Sequence, residues 1–81
     1  LMPNWQVAQA QLGPDRYFLS MRMKRLATGG DGEARVAFNR RAIKIAHEAG
    51  YAGYQVLAYS EGIESFYPAQ RVGEGVILLL R

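Results

Sequence analysis

The 81-residue chain has no cysteine and only one histidine. The first absence removes thiol nucleophiles, disulfides and cysteine-ligated zinc, and the second leaves His47 as the sole imidazole for a metal site or a catalytic triad. The carboxylates Asp15, Asp31, Glu33, Glu48, Glu61, Glu64 and Glu74 show no paired ligand spacing. His47 therefore reads as a solvated residue near a helix C-terminus, where the dipole favours its charge. Long hydrophobic runs are missing too: residues 76–80 are the longest strongly apolar stretch, far below the roughly 18 residues of a membrane span. Blocks of one charge are absent, since 10 Lys and Arg against 7 Asp and Glu leave a net +3 that is spread along the chain. A nucleic-acid surface calls for a basic stripe with interleaved aromatics, so nucleic acid is disfavoured and an RNA-binding domain stands only as an alternative.

What is present is an ordinary small domain, 49% hydrophobic and 21% charged, with room for one core. Without disulfides, so short a chain gains stability readily from self-association. Residues 1–15 read as an irregular N-terminal arm with Trp5, Val7 and Leu12 as isolated anchors and Gly13-Pro14-Asp15 as a turn. Residues 16–81 form the single domain. From 16 to 25 the chain alternates, with Tyr17, Leu19, Met21 and Met23 on one face and Ser20, Arg22 and Lys24 on the other; Phe18 is the exception. This pattern predicts a half-buried first strand. A helix is predicted over 33–49, capped by Asp31 or Gly32, with Ala34, Phe38, Ala42, Ile45 and Ala49 on one narrow face. Val36 and Ile43 fall on the outer face, either as scattered surface hydrophobes or as a contact stripe.

Gly50 stands where a helix C-terminus needs a left-handed residue, and a strand follows from Tyr54 to Glu61, with Gly62 a candidate bulge before a resumption over 63–67. Pro68-Ala69-Gln70 turns the chain into a third strand over 71–80, apolar on both faces near its end and so expected at the centre of a sheet. The expected fold is α+β, β-α-β-β: a three-stranded sheet in the order 1-3-2 with one helix packed on one face. Phe18, Leu57, Tyr59, Ile77 and Leu79 then lack cover. Either the arm with Trp5 folds beneath the sheet, or a second subunit or a partner lies there.

No reaction is written in these residues. The Thr28-Gly29-Gly30-Asp31-Gly32 loop precedes a helix but lacks the lysine of a phosphate loop, and its acidic residues repel anions. There is no G-x-S-x-G turn, and Glu61 and Glu64 read as exposed hairpin carboxylates. No catalytic residue and no cofactor are expected, and the chain reads as a non-enzyme. Aromatic residues gather on and around the second strand, an expected sheet edge; Tyr54, Tyr59, Phe66 and Tyr67 are the leading contact residues, with Val36 and Ile43 as a second candidate surface. Ordinary sheet packing is the alternative account of the tyrosines.

The run Ala42-x3-Ala46-x2-Ala49-Gly50-Tyr51-x2-Tyr54-x-Val56 resembles small bacterial cell-envelope lipoproteins of uncharacterised function, in which a helix ends in Gly-Tyr and a strand follows. That resemblance implies a non-enzymatic protein-protein interaction or assembly module, binding a protein partner or forming a homo-oligomer. It also implies a periplasmic or outer-membrane-associated location, with the cytoplasm as alternative, and a lipid anchor upstream of Leu1. The β-α-β-β order also resembles the dodecins, flavin-storing assemblies in which a Trp stacks on the ring, and implies a flavin-type ligand-binding oligomer as the alternative function.

Overall fold

Among the described residues, the order of elements is β1 (Trp5–Gly13), β2 (Arg16–Met23), α1 (Glu33–Glu48), β3 (Gly53–Glu64) and β4 (Gln70–Leu80). The computed structural model describes residues 4–24, 32–64 and 69–81. The strands form one sheet in the order β1-β2-β4-β3, with every neighbouring pair antiparallel. Because β2 and β3 both oppose β4, they run the same way, and α1 makes the crossover between them.

This corrects the expected three-stranded sheet in the order 1-3-2. The sheet has four strands, because residues 5–13 are not an irregular arm but a full strand, registered against β2 from Trp5 opposite Met23 to Gln11 opposite Tyr17. Its alanines and glutamines are poor strand formers, and a hairpin partner overrides that preference. Pro14-Asp15 closes the hairpin, and the Asp15 carbonyl accepts a hydrogen bond from the Leu79 N–H at 2.7 Å. The chain does not fold beneath the sheet; it extends the sheet sideways.

Helix α1 buries Ala34, Ala37, Phe38, Ala42, Ile45 and Ala46 against Trp5, Leu19, Met21, Met23, Ile77 and Leu79. Small helix residues bring its axis close to the sheet. Gly75 shows how close: a Cβ there would lie 2.6 Å from Phe38 Cε1 and 2.6 Å from the Ala58 carbonyl oxygen. The Phe38 ring rests directly on the backbone of β4. Ala49, expected on the buried face, is instead the exposed cap residue. Gly50 follows at φ 78°, donating to the His47 carbonyl at 3.1 Å while Tyr51 donates to Ala46 at 2.9 Å. This Schellman pair ends the helix and aims the chain into β3.

The irregularity in β3 falls at Leu57, between Val56 and Ala58, and not at Gly62, which pairs regularly with Val72. One inserted residue reverses the alternation beyond it. Tyr54 and Val56 face the helix by even numbering; after Leu57, Tyr59 and Glu61 do so by odd numbering. Thus Tyr59, Ile77 and Leu79, three of the residues expected to lack cover, lie on the helix side, while Phe18 and Leu57 do not.

Candidate functional site

Alternation leaves a second set of side chains on the sheet face away from the helix. The ladder registers them in rows. Gln6, Arg22, Val72 and Gly62 form one row, Ala8, Ser20, Glu74 and Ser60 the next, then Ala10, Phe18, Val76 and Ala58, and then Arg16, Leu78 and Gln55. Leu80 joins the apolar end by the same parity, and Leu12 and Leu57 stand beside it at the register shifts of β1 and β3, Leu57 being 42% exposed. Nothing in the described residues covers this face. The molecule is 17 Å across its thinnest axis, enough for one helix on one sheet.

The open face is polar at one end and apolar at the other. At the polar end the Arg22 guanidinium spans β4 to reach Glu64 of β3, donating from Nη1 to Oε1 and from Nη2 to Oε2 at 3.1 Å. Arg22 also donates to Gln70 Oε1 at 3.0 Å, and Gln70 Nε2 donates to the Met23 carbonyl. The hydrogen bond to Glu64 holds the Arg22 pKa above its already high ordinary value. Being exposed, this fork orients side chains more than it stabilises the fold. Between the fork and Glu74 lies a shallow concavity of about 360 Å³. At the other end Phe18, Val76 and Leu78 are half-buried by their neighbours, while Leu12, Leu57 and Leu80 stand free.

The residues singled out from the sequence are placed elsewhere. Tyr54 and Tyr59 lie on the helix side of β3, half-buried. The Tyr54 hydroxyl donates to Asn39 Oδ1 at 3.0 Å. The Tyr59 ring meets Phe38 edge-on at 5.0 Å, carries the Arg35 guanidinium 4.6 Å above it, and donates its hydroxyl to Glu61 Oε2 at 2.6 Å. Burial, and next the bond to Glu61, push the Tyr59 pKa well above the usual phenol range. Val36 and Ile43 are exposed on the outer side of α1, Ile43 at 60%. Ile43 and Tyr54 meet at a shallow concavity of about 390 Å³ beside the helix C-terminus, together with His47 and Tyr51. Phe66 and Tyr67 lie outside the described residues.

Trp5, the residue the dodecin likeness would use for stacking, is 6% exposed under the helix, and its indole N–H donates to Glu33 Oε1 at 3.1 Å. That leaves little ring surface for a flavin. Among the described residues no three His, Asp or Glu side chains gather as a metal site, and no helix is long and apolar enough to cross a membrane. Sequence reasoning expected an uncovered sheet face and placed Phe18 and Leu57 on it, but its other members were missed because they sit on four strands. The signal for them was Phe18, which breaks the alternation of its own strand, and the consecutive apolar residues at the end of β4. No family model, no curated protein and no solved structure matches this chain.

Proposed function

We propose that this protein is a non-enzymatic protein-protein association module whose contact surface is the open face of the sheet. The observation that carries the reading is the apolar end of that face, where Phe18, Val76, Leu78, Ala58, Leu12, Leu57 and Leu80 gather with no cover from the helix, flanked by Arg16 and Gln55. A sheet solvated on one side ordinarily shows polar side chains there. A contiguous apolar patch rimmed by charge is the usual mark of a surface that meets another protein.

Sedimentation equilibrium of the whole chain tests this. The wild type is expected to exceed the 9.0 kDa of one chain, and the double substitution Leu57→Lys with Leu80→Lys is expected to return it to that mass with its circular dichroism unchanged. Both leucines are already exposed, so the fold tolerates the change. A wild-type chain that stays at one-chain mass up to about 1 mM, weaker than a stable protein contact allows, refutes the reading.

A further inference from the structure

The partner of the open face can be read from how its side chains are distributed. We infer that it is a second copy of the same chain, packed sheet against sheet about a two-fold axis parallel to the strands; this rests on the open face being an association surface. Such an axis keeps every row on its own level and exchanges left with right, so β2 lies over β4 of the copy and β1 over β3. The row of Ala10, Phe18, Val76 and Ala58 then meets itself, with Phe18 against Val76. At the same end Leu78 lies over the copy's Arg16 and Leu57 over the copy's β1, so the apolar ends of the two sheets coincide.

At the polar end charge fits the same operation. On the open face the cations Arg16, Arg22 and Lys24 belong to β2 or the residue just after it, and the carboxylates Glu74 and Glu64 to β4 and β3. Exchange of β2 with β4 brings Arg22 over the strand that carries Glu74, one row away. Glu74 is exposed and makes no ion pair within the described residues. An axis across the strands would do the opposite, pressing the Phe18 and Val76 row onto Ser20 and Glu74 and stripping water from an unpaired carboxylate. Area agrees with full overlap: four strands each about 4.8 Å wide, over four rows each about 6.8 Å long, give roughly 500 Å² per copy. The pair then reaches about 1,000 Å², the threshold for a specific interface. A crosswise pair shifted to match only the apolar rows would lose about half of it.

The absence of cysteine makes the test direct. Lys24, at the polar end just after β2, is replaced by Lys24→Cys, the only thiol in the chain. In the proposed dimer the two Cα atoms at this position lie roughly 10 to 17 Å apart, from the ~10 Å sheet spacing and ~30° rotation of aligned sheets. In a crosswise dimer they lie at opposite ends, more than about 30 Å apart by strand rise alone. A bis-maleimide of about 15 Å span, matched to that aligned-sheet spacing, is expected to give a covalent dimer as the main product. Glu74→Arg is expected to weaken dimerisation about tenfold, the scale of a close interfacial charge pair. A dimer that Leu57→Lys and Leu80→Lys dissolve, but that Lys24→Cys does not cross-link, overturns this arrangement and leaves the association reading standing. A monomer overturns both.

Discussion

The two faces of one sheet are built from the same four strands, yet they obey different rules. Beneath the helix the inward positions are filled against a neighbour, down to glycines at 73 and 75 that make room for Met21 and Phe38. On the other side the side chains grade from a charged fork at Arg22 and Glu64 to a bare apolar end at Leu57 and Leu80. The covered face is specified by shape and the open face by the order of its chemistry. A change on the first should be felt in folding, and a change on the second in association.

The sharpest way to break that contrast is Phe38→Ala, which removes a fully buried ring touching Gly75 and Tyr59. A loss of about 3–5 kcal/mol is expected by urea denaturation, the usual cost of deleting a buried aromatic. Gly75→Ala comes next, because its added methyl meets both the Phe38 ring and the Ala58 carbonyl, and the carbonyl cannot turn aside. About 1–3 kcal/mol is expected, in line with overpacked cores. If either variant unfolds with the wild type, the helix side is looser than its distances say.

Tyr59 gives a smaller effect, visible only in alkali. Its folded pKa lies above the ordinary 10.0 because burial and Glu61 favour the neutral phenol. The unfolded chain releases that proton near pH 10 while the folded one holds it, so the stabilisation is complete below pH 10 and is lost as pH climbs past it. Tyr59→Phe should flatten this part of the stability profile, and a phenol titrating normally at 295 nm would contradict it. The smallest effect belongs to the open face: Leu57→Lys should move stability by no more than about 0.5 kcal/mol in a dilute sample, as for other exposed positions. A larger loss would mean that Leu57 supports the bulge itself.

Much of the covered face was legible from the residues. The alternation of Tyr17, Leu19, Met21 and Met23, the Ala-rich stripe of the helix and the Gly50 stop each carry a local signal strong enough to survive tertiary context. Strand β1 was not legible, since beyond Val7 its Gln and Ala residues show no contrast between faces and its partner is supplied by the hairpin. The side of the sheet on which Tyr54 and Tyr59 lie was hidden for a related reason. Their role depended on parity, and the inserted residue lies at Leu57, an apolar position with none of the conformational freedom that drew attention to Gly62. Tyr59 therefore points inward. An uncovered face was legible through Phe18 and Leu57, but its full membership was not, because the rest are spread over elements that only the ladder brings into rows.

The place of β4 also divides the chain in time. Strands β1 and β2 form one hairpin and β3 and β4 another, each joining neighbours in sequence. Of the three ladders, β2–β4 is the one that knits the two, through pairs as remote as Arg16 and Leu78. Closing a loop of that length costs entropy before any contact repays it, so this seam is the natural rate-limiting event of folding, with α1 docking across it as it shuts.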